Sequence, residues 1–134
     1  MKSKEVEVAC AALMDPDDRI LISQRGTEKY LGGLWEFPGG KLENNEHPKQ
    51  ALLREIKEEL NITLCAECIS KIDSTTYQYE DYSVKITLYL CRKWEGIPIS
   101  NEGQILKWVT FQDLKQYLMP QANEALIEGL AEFI

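Results

Sequence analysis

The chain has 134 residues, which is enough for one domain with a hydrophobic core and too few for two. Its formal net charge of −7 argues against a nucleic-acid polymer as partner, because such partners usually require a basic face. The sequence contains neither a run of about 18 apolar residues nor a signal-peptide core, so we expect a cytoplasmic protein with no membrane partner. A monomer is the default expectation.

The beginning of the chain predicts two strands. Residues 6–14 are rich in Val, Ala and Leu and indicate a buried strand, and residues 20–25 indicate a second one. The Asp and Pro residues at 15–18 are typical of a turn, so we expect the two strands to form a hairpin. A glycine-containing loop is predicted at residues 25–33. A short apolar segment then leads to Gly39 and Gly40, where the backbone can approach a ligand closely, and the Gly39 carbonyl can reach a metal.

A helix is predicted in the second half of the segment 40–62. Pro48 suits a first helical turn, where its missing N–H group is no loss. Apolar residues then recur at helical spacing and share one face, at about 100° per residue: Leu52, Leu53, Ile56 and Leu60.

The opposite face of this helix carries three carboxylates, at Glu55, Glu58 and Glu59. Like charges at these spacings repel each other by roughly a few tenths of a kcal/mol per pair. A divalent cation relieves that repulsion, because carboxylate oxygens are the ligands that Mg²⁺ takes in proteins. On a generic helix the same pattern indicates only a solvated acidic face, so the flanking residues must decide between the two interpretations.

The rest of the chain predicts further strands and two C-terminal helices. Residues 68–79 and 84–94 are rich in β-formers, and the second segment alternates apolar and polar residues with the period of a strand. Residues 106–109 indicate another short strand. Residues 111–118 and 122–133 fit helices. The predicted architecture is a mixed sheet with helices on both sides.

The four cysteines are Cys10, Cys65, Cys68 and Cys91. The pair Cys65 and Cys68 forms a C-x-x-C motif, which is found in zinc sites and redox sites. A structural zinc needs four ligands, and the sequence has no second close pair of cysteines. We therefore expect unpaired thiols in a reducing cytoplasm.

The segment 40–62 resembles the Nudix box, which begins at Gly40. Every charged position of the box agrees: Glu46, Arg54, Glu55, Glu58 and Glu59. The one departure is Asn61, where the family usually has Gly. This position ends the helix in a left-handed conformation, which Asn also accepts. Shorter segments resemble MutT-type members of the family in the same order, at residues 34–41, 94–96, 101–104 and 120–124.

The resemblance implies a fold and a reaction. The fold is the α/β/α Nudix sandwich, built as a single domain from residues 1–134. Nudix enzymes hydrolyse compounds in which a nucleoside diphosphate is linked to another group. The reaction requires a divalent metal, for which Mg²⁺ is expected and Mn²⁺ is a substitute. In the MutT branch, water attacks the β-phosphorus of 8-oxo-dGTP, giving the monophosphate and pyrophosphate and cleansing the nucleotide pool.

The expected metal ligands come from the helix face and two loops: Gly39, Glu55, Glu58, Glu59 and Glu102. Glu102 is assigned by the resemblance, and its alternative is an ordinary surface acid. Glu55 is the preferred general base, with Glu102 second. Glu46 either contacts the metal region or caps the helix start. Arg54 is expected to orient the glutamates through a bidentate ion pair.

The expected substrate contacts surround the phosphates and the base: Arg25, Phe37, Lys41, Tyr79 and Asn123. Arg25 and Lys41 are the nearest cations for phosphate oxygens, unless they are ordinary surface residues. The Asn123 amide can donate to O6 and accept from the N7–H of 8-oxoguanine, with Phe37 packed nearby. The alternative role of Asn123 is to cap the C-terminal helix.

Two other functions remain open at this point. The same chemistry on CTP or a modified dCTP is one, because the match to MutT-type enzymes fails at Val84 and leaves the base contacts unassigned. A non-catalytic module that senses a nucleotide is the other. The complete acidic set argues against it, since a binding module has no need for such a set.

Overall fold

The computed structural model of the chain describes residues 4–26 and 32–134, so most of the loop predicted at residues 25–33 lies outside the described residues. Regular secondary structure begins with a strand and ends with a helix. The elements in chain order are β1 (Lys4–Leu13), β2 (Arg19–Gln24), β3 (Trp35–Glu36), β4 (Gly39–Lys41), α1 (Pro48–Leu60), β5 (Thr63–Leu64), a 3₁₀ turn (Ala66–Cys68), β6 (Ser70–Gln78), β7 (Tyr82–Cys91), β8 (Trp94–Glu95), β9 (Ile105–Thr110), α2 (Phe111–Leu114), α3 (Gln121–Glu124) and α4 (Ile127–Ala131).

The larger sheet has four strands in the order β4-β1-β7-β6. Strand β1 runs parallel to β7 and antiparallel to β4, and β6 pairs antiparallel with β7, so the sheet is mixed, as predicted. Alternate residues of β1 are buried on opposite faces of this sheet. Ala9, Ala11 and Leu13 pack against α1, whereas Cys10 and Ala12 pack with the C-terminal helices. The predicted arrangement of a sheet between helices is confirmed.

The predicted hairpin of β1 and β2 is wrong. The chain does turn at residues 15–18, where the Asp15 carboxylate accepts a hydrogen bond from the Arg19 N–H group at 2.8 Å. Among the described residues, however, a single bridge between Met14 and Ile20 joins the two strands. Strand β2 instead pairs with β3 and β9 in a second, antiparallel sheet. The physical reason is that β4 and β7 already occupy both edges of β1.

Helix α1 begins at Pro48, as predicted. His47 is its N-cap residue, and the His47 Nδ1 atom accepts a hydrogen bond from the Lys49 N–H group at 3.2 Å. At the other end Asn61 has φ of 58° and donates its N–H group to the Lys57 carbonyl at 3.0 Å. Asn61 therefore ends the helix in the left-handed conformation that the sequence predicted.

The C-terminal helices are shorter than predicted. The helix expected at residues 111–118 is the single turn of α2, and the one expected at residues 122–133 is divided into α3 and α4. At the division the Leu126 N–H group bonds to the Asn123 carbonyl three residues earlier, which is a tighter turn than an α-helix makes. Three apolar side chains of this region are buried: Leu126, Ile127 and Leu130.

The expectation of four unpaired thiols is wrong for one pair. The 3₁₀ turn brings Cys65 and Cys68 together as a disulfide, with their Cα atoms 5.3 Å apart, a usual distance for such a bond. Cys10 and Cys91 are free and buried. No helix in the described ranges has the length and apolar character needed to cross a membrane.

Candidate metal and nucleotide site

Glu59 is the most buried carboxylate of the box helix. It lies in the last turn of α1, and only 5% of its surface is exposed. The Gly39 N–H group donates a hydrogen bond to Glu59 Oε2 at 3.3 Å. The pKa of Glu59 is raised to about 8, first by burial and then by the nearby charges of Glu36, Glu102 and Glu55, while the Gly39 hydrogen bond acts to lower it. A negative charge on Glu59 is therefore poorly compensated by the protein itself.

This donor set fits a divalent cation. The charges of three carboxylates, Glu36, Glu55 and Glu102, act on the buried Glu59 carboxylate, and hard cations take carboxylate oxygens as ligands. Within residues 4–26 and 32–134, no three His, Cys, Asp or Glu side chains already converge as a preformed group of ligands. The fit thus rests on the chemistry of the side chains and their mutual repulsion, which a cation would remove.

Arg54 organises the exposed side of the helix face. Its Nε and Nη2 atoms bind both oxygens of Glu46, each at 2.9 Å, which is a bidentate ion pair. Its Nη1 atom donates to Glu55 Oε1 at 2.8 Å and lies 3.6 Å from Glu58 Oε2. Hydrogen bonds from Arg54 and from the Glu43 N–H group lower the pKa of Glu46 to about 2. Arg54 therefore holds the Glu55 carboxylate in one orientation.

The alternative of Glu46 as a helix cap is wrong, because that place belongs to His47. The two carboxylate oxygens of Glu46 are directed to Arg54 instead, and one of them also accepts the Glu43 N–H group at 2.9 Å. Among the contacts of the described residues, Glu46 is connected to the predicted metal ligands through Arg54 alone.

The two glycines of β4, Gly39 and Gly40, are required by close contacts. A Cβ atom on Gly39, whose φ is 153°, would collide with the Ala9 carbonyl oxygen of the neighbouring strand. A Cβ atom on Gly40 would collide with the Glu55 carboxylate. The backbone of β4 therefore lies directly against the helix face that carries the glutamates.

The loop between β8 and β9 brings Glu102 to this region. The Asn101 N–H group donates to the Glu59 carbonyl at 2.9 Å, and the Asn101 side chain donates to the Glu58 carbonyl at 3.0 Å. The loop is thus attached to the last turn of α1, and the charge of Glu102 is felt at Glu59. Two buried atoms of the loop, Ser100 Oγ and Gln104 Oε1, have no hydrogen-bond partner within the part of the chain that the structure describes.

An adjoining cleft of about 650 Å³ gathers all five residues that the sequence predicted as substrate contacts: Arg25, Phe37, Lys41, Tyr79 and Asn123. Its floor is the face of the large sheet opposite α1, formed by Val6, Val8 and Ile86. Gly39 and Gly40 also line the cleft, so it opens onto the glutamate region. A nucleoside can therefore occupy the cleft with its phosphates directed to the helix face.

Asn123 is buried at one wall of this cleft, with 7% exposure. Its Oδ1 atom accepts the Phe37 N–H group at 3.2 Å, so the backbone N–H of Phe37 is already engaged. Asn123 is the third residue of α3 and does not cap it, because Pro120 is the N-cap, so the capping alternative is wrong. The Tyr79 hydroxyl accepts the Ala122 N–H group at 3.3 Å and so borders the same wall.

Sequence reasoning missed Glu36. Strand β3 pairs with β2 and places Glu36 in the cleft, where its carboxylate accepts a hydrogen bond from Arg25 Nη2 at 2.7 Å. Arg25 is therefore paired with a carboxylate and is not a simple free cation for phosphate. The only sequence signal was a single acid inside a short apolar segment.

The chain is similar to proteins of known name over nearly its whole length. The 8-oxo-dGTP diphosphatase of Escherichia coli strain K12 is 32% identical over 127 residues, which cover 95% of this chain and 97% of that protein. The CTP pyrophosphohydrolase of the same strain is 33% identical over 126 residues, covering 94% and 91%. The solved structure of the E. coli ORF135 protein has a TM-score of 0.83 at 30% identity, covering 97% and 91%.

A family match completes the assignment. The profile of the NUDIX domain matches residues 9–129, which include both glycines of β4, the whole of α1 and Glu102. The mixed sheet between helices is the fold of the solved MutT-type Nudix structures. The fold predicted from the box is therefore confirmed, and the chain belongs to the Nudix hydrolase family.

Proposed function

We propose that this chain, as one domain over residues 1–134, hydrolyses 8-oxo-dGTP to the monophosphate and pyrophosphate with Mg²⁺, or with Mn²⁺ in its place. Such an activity removes oxidised purine nucleotides from the cytoplasmic pool, and the enzyme acts as a monomer. The relatives named 8-oxo-dGTP diphosphatase support the substrate, since one of them is 32% identical over 95% of the chain.

The observation that carries the substrate assignment is the placement of Asn123. Its Oδ1 atom uses one lone pair for the Phe37 N–H group and keeps the other for a second donor. Its Nδ2 atom has no partner among the described residues, so two donor hydrogens face the cleft. This pattern matches 8-oxoguanine, whose N7–H is a donor and whose O6 is an acceptor. In dGTP the unprotonated N7 would meet Oδ1 as acceptor against acceptor.

The reaction follows from the residues beside the cleft. A bound divalent cation would supply neutralisation of the phosphate charges and acidify an attacking water. The water oxygen forms a bond to the β-phosphorus, and the bond from that phosphorus to the oxygen bridging the α- and β-phosphates breaks. The bridging oxygen leaves with the monophosphate. Glu55 takes the proton of the water, because Arg54 fixes its carboxylate, and Glu102 is the second choice for this role.

The proposed ligands of the cation are Glu55, Glu58, Glu59, Glu102 and the Gly39 carbonyl. Glu46 acts through Arg54 by keeping the guanidinium in place. Lys41 and Arg25 line the cleft where the phosphates would lie, and Arg25 would share its charge between Glu36 and the substrate. Tyr79 borders the base beside Asn123.

A pyrimidine substrate is the second candidate. It is favoured by the CTP pyrophosphohydrolase relative, whose identity of 33% is close to the 32% of the E. coli 8-oxo-dGTP diphosphatase. The same residues would carry the chemistry, and only the contacts to the base would differ.

A substrate panel tests the proposal. Pyrophosphate release would be measured for 8-oxo-dGTP, dGTP, CTP and dCTP at equal concentration, with Mg²⁺ and after exhaustive chelation. We expect the highest kcat/KM for 8-oxo-dGTP, loss of activity on chelation and recovery with Mg²⁺. A preference for CTP or dCTP would replace the purine assignment, and activity that survives chelation would contradict the metal mechanism. A protein that binds these nucleotides without turnover would be a sensing module.

A further inference from the structure

A second cleft lies on the other side of the large sheet from the nucleotide cleft. It has a volume of about 360 Å³ and sits at the N-terminal end of α1, next to His47, Pro48 and Lys49. None of the residues proposed for catalysis or metal binding lines it. Glu59 is 11 residues further along α1, which corresponds to about 16 Å along the helix axis. The Nudix chemistry leaves this cleft unexplained.

The charge of this cleft is opposite to that of the chain. Three lysines line it, at Lys49, Lys71 and Lys85, against one carboxylate, Glu7. Among residues 4–26 and 32–134, none of these lysines lies within 4 Å of a carboxylate oxygen in an ion pair. A local excess of two positive charges thus occurs in a protein whose formal net charge is −7. The positive end of the α1 dipole points to the same place.

Two residues with hydroxyl groups line the same cleft from the sheet. Tyr89 and Thr87 are 4% and 8% exposed, and both belong to the face of β7 that is directed toward α1. In the part of the chain that the structure describes, neither hydroxyl has a hydrogen-bond partner. Neither hydroxyl oxygen is among the fully buried unpaired atoms, so both are open to the solvent of the cleft and can donate to an acceptor bound there. Burial also raises the pKa of Tyr89, which keeps its hydroxyl a neutral donor.

We propose that this cleft binds a small phosphate anion, inorganic phosphate or pyrophosphate, at a site separate from the nucleotide cleft. The hydroxyls of Tyr89 and Thr87 donate to its oxygens from below, and the ammonium groups of Lys49, Lys71 and Lys85 surround it. An anion with several charged oxygens matches this set, because lysines act on phosphate as point charges and each hydroxyl supplies one directed hydrogen bond. A water takes about 30 Å³, so the cleft has room for either anion.

The helix N-terminus contributes charge and not hydrogen bonds. The Lys49 N–H group is already donated to His47 Nδ1, the His47 N–H group to Gln50 Oε1, and Pro48 has no N–H group. The proposal therefore depends on the lysines and hydroxyls. It does not require that the chain hydrolyse 8-oxo-dGTP.

The test is a titration of the full chain with inorganic pyrophosphate and, separately, with phosphate. Both are done in chelator at constant ionic strength, so that the catalytic region lacks metal. Amide shifts in two-dimensional NMR locate the binding. We expect saturable shifts at residues 85–89 and at residues 47–49. Shifts confined to residues 39–41 and 55–59, or shifts that sodium chloride reproduces at the same ionic strength, would overturn the proposal.

Variants measure the contribution of each group. We expect Tyr89→Phe and Thr87→Val each to weaken binding at least threefold, and the double change Lys71→Gln with Lys85→Gln to weaken it at least tenfold. The matched control for the lysines is the double change Lys93→Gln with Lys115→Gln, which removes the same two charges from exposed positions outside the cleft. If the control weakens anion binding equally, the loss of affinity comes from net charge alone, which would contradict the proposal.

Thermal unfolding gives a second readout. Because the Tyr89 hydroxyl has no partner in the absence of the anion, Tyr89→Phe should leave the unfolding temperature of the free protein unchanged, and Thr87→Val offers the same comparison. Pyrophosphate should raise the unfolding temperature of the parent and not of these variants. An equal rise in parent and variants would show that the hydroxyls do not bind the anion.

Discussion

Replacement of Glu59 by Gln should make the metal-free protein more stable at neutral and alkaline pH. The pKa of Glu59 is raised from 4.5 to about 8 in the folded chain, with burial as the main cause. The folded state therefore holds a proton on Glu59 at pH values where the unfolded chain has lost it. The stability that comes from this protonated form is fully present below about pH 4.5 and is lost as the pH rises through about 8.

The size of the stability difference between the parent and Glu59→Gln follows from the raised pKa of Glu59. Between the two pKa values the free energy of unfolding falls by about 1.4 kcal/mol per pH unit for one such group. The expected difference between parent and Glu59→Gln at pH 8 is a few kcal/mol, with an upper limit of about 5 kcal/mol. With a divalent cation present, the parent should become more stable than Glu59→Gln, because the cation binds the charged Glu59 of the parent and stabilises the folded state by RT ln(1 + [M]/Kd).

Urea unfolding measures this difference. Tryptophan fluorescence would be followed at several pH values from 5 to 8 in chelator, for the parent and Glu59→Gln. Glu58→Gln is the matched control, since it removes the same charge from the same turn of α1 but its side chain is 63% exposed. Stability curves of parent and Glu59→Gln that run parallel over this pH range would refute the reasoning. In the presence of Mg²⁺, Glu59→Gln should also lower kcat by at least about 100-fold, on the order of 3 kcal/mol in the barrier.

Three further predictions concern the base, the ion pair and the close contact. Asn123→Ala should reduce the preference for 8-oxo-dGTP over dGTP by about ten- to a hundredfold while metal-dependent hydrolysis continues, and an unchanged ratio of kcat/KM values would reject the role of Asn123. Glu46→Gln should raise the pH at which acid unfolds the protein. The ion pair with Arg54 lowers the pKa of Glu46 to about 2, so its stabilisation of the fold is fully present above about pH 4.5 and is lost as the pH falls toward 2. Gly40→Ala should displace the Glu55 carboxylate and lower kcat more than it changes KM, which steady-state kinetics would show.

The sequence predicted the box helix closely because its signals are local. Helical spacing of apolar residues, Pro48 at the start and Asn61 at the end each depend on neighbours within a few residues. The alternation of β7 was equally local. Strand pairing does not depend on local signals, because whether β1 pairs with β2 depends on which other strands occupy the edges of β1. The hairpin prediction failed for that reason.

Local patterns predicted the site residues of the box helix, whereas Glu102 and Asn123 were predicted only through the resemblance to MutT-type enzymes, and Glu36 was not predicted. Glu36 enters the site through the pairing of β3 with β2, and Asn123 reaches Phe37 across 86 residues of sequence. The division of the C-terminal helix at Asn123 accompanies this long-range contact, which the local periodicity of residues 122–133 could not show. Contacts of this kind need the whole fold.

The glutamates of the helix face differ in whether they have a basic partner, and this difference bears on cation binding. Arg54 binds Glu46 and Glu55 at 2.9 and 2.8 Å and lies near Glu58, so these carboxylates have a basic partner. Glu59 has none among the described residues and receives only one hydrogen bond, from the Gly39 N–H group at 3.3 Å. The repulsion is thus concentrated at the most buried carboxylate of the face. A second arginine beside Glu59 would neutralise this carboxylate and weaken the attraction of a cation, so we propose that the uncompensated charge of Glu59 couples the box helix to the metal.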